Sequence, residues 1–92
     1  MSISLDEYRA NLINKILFAA SVDEVKRFID NAINVLEQNK INGHNISQFI
    51  EKIISDLELF SPMKTEAQQW SNIKMAMILF KRIKKQLGLT MK

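Results

Sequence analysis

The chain has 92 residues, 47% hydrophobic and 25% charged, with no cysteine and a formal net charge of +3. That length fits one domain, and the apolar content excludes a disordered chain, which needs low hydrophobicity and high net charge. The missing cysteine excludes disulfides, thiolate nucleophiles and cysteine-based zinc or iron–sulfur centres.

Ser4-Leu5-Asp6-Glu7 has the spacing of a capping box, in which the serine accepts from the N3 amide and the glutamate returns to the N-cap amide. Leu5, Tyr8, Leu12, Ile13, Ile16, Ala19 and Ala20 share one arc at the helical period, which predicts an amphipathic helix over 5–20. Phe18 falls off that arc, either exposed or turned to a second neighbour. Ser21-Val22-Asp23-Glu24 repeats the capping box, and Val25, Phe28, Ile29, Ala32, Ile33 and Leu36 continue the period, so a second helix is expected over 22–40.

Asn42-Gly43 reads as its stop, with Gly43 free to take the left-handed conformation past a helix end. Asn45 or Ser47 is the expected cap of a third helix over 46–60, whose apolar face is Ile46, Phe49, Ile50, Ile53, Ile54, Leu57 and Phe60. Asp23–Arg27, Lys26–Asp30 and Lys52–Asp56 stand at the i,i+4 spacing that pairs charges on wet helix faces. Ser61-Pro62 ends the third helix and opens the fourth, since proline suits a first helical turn. The fourth helix is expected over 63–87, with Gly88 as its stop. No alternating strand pattern occurs. Short joints favour antiparallel neighbours, so the expected fold is all-α, a compact four-helix bundle in one domain over 1–92, with a long C-terminal helix.

No motif for chemistry accompanies these helices. His44 is the only histidine, and a general base or metal ligand needs placed partners. No Glu-x-x-His pair of a bundle di-metal site occurs, and two glycines cannot build a phosphate loop. No catalytic residue, metal ligand or cofactor is expected. The longest apolar run, residues 75–80, is too short for a secretory signal or a membrane span, so a cytoplasmic location is the default expectation.

The last helix carries the functional signal. Residues 67–92 hold six cations and no acid, whereas residues 1–66 hold seven cations and ten acids. Lys74, Lys81 and Lys85 lie within about 40° on a helical wheel, flanked by Arg82 and Lys84. At 25 residues this helix spans about 38 Å, longer than the globule expected for the chain, which predicts an overhang of about one or two turns; a C-terminal overhang would expose Phe80, Ile83 and Leu87 beside the lysines. A solvated apolar row of that size calls for cover. The expected function is a small non-catalytic interaction or regulatory protein. Lys74, Phe80, Lys81, Ile83, Lys84, Lys85 and Leu87 would bind an acidic or apolar protein partner or a second copy, giving a homodimer. Nucleic acid on the same basic helix is the alternative; against it stand the mild overall charge and the lack of an Arg-rich or aromatic stacking pattern in the basic run.

Overall fold

The computed structural model describes residues 4–90, with side chains to Leu87. Four helices follow in order: α1 Leu5–Leu17, α2 Val22–Gln38, α3 Gly43–Glu58 and α4 Ala67–Thr90. The fold is an all-α four-helix bundle with a Cα radius of gyration of 13.0 Å. α4 packs against each of the other three helices, and α1 also packs against α2 and α3. α2 and α3 therefore flank a central α1–α4 pair. Among the described residues, no helix is long and apolar enough to cross a membrane.

The predicted apolar arcs become the core. Leu12 and Ile16 of α1, Val25, Ile29, Ala32 and Leu36 of α2, and six residues of α3 are buried with Ile73, Ala76 and Phe80 of α4. Phe18, which falls off the arc of its helix, is 76% exposed, and Ile78 of α4 is 54% exposed.

Both serine caps form, with Ser4 Oγ accepting from the Glu7 amide and Ser21 Oγ from the Glu24 amide. The Glu24 carboxylate reaches one residue further back than a capping box requires, to the Ala20 amide at 2.9 Å. α1 ends three residues earlier than expected. Beyond Leu17 the Ala19 carbonyl leaves the helical direction and accepts a hydrogen bond from Asn72 of α4.

The α2–α3 joint corrects two expectations. Lys40, not Gly43, takes the left-handed conformation, at φ 61°. The Ile41 amide bonds to the Leu36 carbonyl and the Lys40 amide to the Glu37 carbonyl, the paired bonds of a Schellman ending. Ile41 then packs on the core. Gly43 is the first residue of α3, and the N-cap is Asn42, whose Oδ1 accepts from the Asn45 amide at 2.8 Å. Asn45 is thus the donor in that cap.

The start of α4 is a third correction. Ser61 and Pro62 form a turn, closed by the Lys64 amide on the Ser61 carbonyl. Proline at the second position of such a turn has its φ preset. The helix begins only at Ala67, where Gln69 Oε1 accepts from the Glu66 amide. At the far end Gly88 does not stop α4, which runs on to Thr90; one glycine costs a helix only about 1 kcal/mol.

Candidate functional site

α4 has 24 residues, against 13, 17 and 16 in the other helices, so its C-terminal half is where exposed apolar surface was expected. Phe80 corrects that expectation: it is fully buried in the core. α2 and α3 are joined at this end of the bundle and extend along both sides of α4, so the overhang does not leave Phe80 wet. Ile83 and Leu87 are half-buried and pack against the core. The structural and outward-facing roles of α4 divide around the helix circumference.

The residues expected to form one surface are distributed over two grooves. On the α3 side, Lys81, Lys84 and Lys85 line an open groove of about 610 Å³ with Glu51, Ile54 and Ser55 of α3. On the α2 side, Ile83 and Leu87 line a second groove of about 490 Å³ with Asp30, Ile33 and Glu37. Lys74 is exposed on α4 and lines neither.

The α3-side groove has a definite charge arrangement. Lys84 Nζ lies 2.6 Å from Glu51 Oε1. That contact, through its hydrogen bond first and its charge second, holds the Glu51 carboxyl below its ordinary value. Lys81 and Lys85 have no ion-pair partner among the described residues. Ile54 supplies an apolar floor and Ser55 a hydroxyl beside them. The groove thus presents two uncommitted ammonium groups next to buried apolar surface.

Other charges hold the bundle instead of facing a ligand. Arg9 Nε donates to Asp56 Oδ2 at 2.8 Å, joining α1 to α3, and Arg9 Nη1 donates to Asp6 Oδ1 at 2.8 Å. Asp56 therefore pairs with Arg9 and not with Lys52, and neither Asp23–Arg27 nor Lys26–Asp30 closes among the described residues. Tyr8 stacks at a tilt on Phe49 across the same α1–α3 contact, with 6.1 Å between ring centroids, and burial raises its phenol pKa.

His44 stands exposed in the first turn of α3, with Nε2 3.2 Å from Gln48 Nε2. No group of three or more histidine, aspartate or glutamate side chains among the described residues could hold a metal ion. Sequence reasoning passed over Glu51, Ile54 and Ser55 as site residues. Their i, i+3 and i+4 spacing puts them on one side of α3, but nothing in that spacing says that α4's lysines lie opposite. Asn72 was missed as well. It is fully buried on α4, donates from Nδ2 to the Ala19 carbonyl at 3.0 Å, and accepts from Gln68 Nε2 at 2.9 Å.

No family model, curated protein or solved structure matches this chain.

Proposed function

We propose that this protein is a small non-catalytic interaction module that docks an acidic protein segment against the C-terminal half of α4, in the groove between α3 and α4. One observation carries the reading: among the described residues Lys81 and Lys85 have no ion-pair partner beside the apolar Ile54, while Lys84 is already engaged by Glu51. Unpaired ammonium groups steer a partner carboxylate and set its register. The lysine stems and the remaining exposed edge of Ile54 add a small apolar contact that charge alone does not. An acidic amphipathic segment has both chemistries, whereas a nucleic-acid backbone has no use for Ile54, and Glu51 repels it.

The test is fluorescence anisotropy with two labelled probes, a short amphipathic helical peptide of glutamate and leucine and a short DNA duplex. The peptide binds, its affinity falls with added salt, and Lys81→Glu with Lys85→Glu weakens it about tenfold or more. DNA binding at low salt that exceeds peptide binding overturns the assignment to an acidic protein segment.

A further inference from the structure

The α2 side of α4 carries a different kind of surface from the lysine groove. At about 100° per residue, Met75, Ile78, Leu79 and Ile83 occupy one arc about 140° wide. Ile78 is 54% exposed and the other three are half-buried. One edge of this strip is basic. Lys74 and Lys85 run along it, and the exposed Arg82 lies inside the arc at its C-terminal end, about 30° to that side of its midline. The opposite edge belongs to α2 and is acidic: Asp30 and Glu37 line the groove beside Ile83, and Asp23 precedes them on the same face. Lys26 is the cation on that edge. None of Asp23, Asp30 and Glu37 is ion-paired among the described residues.

An apolar strip between an acidic and a basic edge complements itself. We infer that the occupant of this face is a second copy of the chain, packed with its α4 parallel to the first about a two-fold axis running along the helices. Symmetry and charge together select that direction. A two-fold axis along α4 exchanges left and right edges, so the Asp30 and Glu37 edge faces the second copy's Lys85. A two-fold axis across α4 would set the helices antiparallel and place basic edge on basic edge, which like-charge repulsion disfavours. An isologous contact also closes, so the assembly stops at a dimer. The strip is narrow compared with the 800 Å² per partner of a standard interface, so the dimer is weak and reversible.

The chain has no native cysteine, which makes single-cysteine cross-linking clean. Ser71 and Ile78 are exposed and lie two turns apart on the outer side of α4, outside the α3–α4 groove; Lys85 borders both surfaces, so the measurement is made with no acidic peptide present. Light scattering up to about 1 mM, the weak end of specific affinities, shows a mass rising toward twice the monomer. Under mild oxidation Ser71→Cys and Ile78→Cys each form a homodisulfide faster than Gln48→Cys, an exposed control on the α1–α3 side. A strictly monomeric mass overturns the proposal. So does a homodisulfide at position 78 alone, a mixed disulfide between Ser71→Cys and Lys85→Cys chains in its place, which is the antiparallel pattern, or no disulfide above the control.

Discussion

Asn72 ties the α1–α2 junction to α4 through one buried hydrogen bond. The described residues contain no buried side-chain nitrogen or oxygen without a partner, so this asparagine sits in a satisfied environment. Asn72→Ala leaves the Ala19 carbonyl without its donor and opens a small void, and costs about 1–3 kcal/mol of stability by chemical denaturation. Gln68→Ala, on the exposed side of the same pair, costs less than about 1 kcal/mol. Lys40 shows the opposite imbalance. A β-carbon in the left-handed conformation costs about 1–2 kcal/mol, while glycine gives back about 0.4–1 kcal/mol through its looser unfolded chain. Lys40→Gly therefore raises stability by up to about 1.6 kcal/mol, read from the denaturation midpoint at unchanged slope. Glu51 offers a pH readout. Its folded pKa is depressed by Lys84 below the ordinary 4.5, so the contribution of the pair is present above the unfolded carboxylate value and is lost as pH falls through the folded one. An NMR titration of the Glu51 side chain finds a midpoint below 4.5, and Lys84→Ala moves it upward.

At the scale of elements, α4 is both core and surface. Its sequence holds more apolar residues than a rim helix requires, and the periodicity alone does not say which of them meet solvent. Phe80 and Ile78 are two residues apart and have opposite fates, fully buried and half-exposed. Phe80→Ala costs about 3–5 kcal/mol by the loss of buried area and the cavity left behind, whereas Ile78→Ala stays within about 0.5 kcal/mol, as an exposed substitution should. Equal losses at both positions would contradict the packing described. The helix ends were legible wherever a serine precedes an Asp-Glu pair, because Ser4 and Ser21 satisfy N-terminal amides through purely local bonds. They were misplaced at Asn42, Lys40 and Ser61. At each of those, two local solutions compete: Asn42 and Asn45 are both able to cap, Gly43 suits a left-handed stop as well as a first turn, and Pro62 fits a turn as well as a helix start.

For the whole molecule, the decisive feature is that α4 touches every other helix while α2 and α3 lie on opposite sides of the α1–α4 pair. Removing residues 67–92 therefore takes away the shared wall of the core. The truncated chain is expected to lose cooperative unfolding and dispersed amide NMR signals, and a folded remainder of 66 residues would contradict this. The bundle, its four helices and the core faces of α1, α2 and α3 follow from sequence, because 3.6-residue periodicity and capping serines act within a turn or two of the chain. The charge asymmetry of the last helix is equally legible. Tertiary structure alone decided that Lys81, Lys84 and Lys85 meet Glu51 and Ser55, that Ile83 and Leu87 turn instead toward Asp30 and Glu37, and that Phe80 lies between the two sides in the core. The reason is physical: a helical period fixes which residues share a face, but the neighbour to which each face turns is set by how four amphipathic stripes bury one another at once.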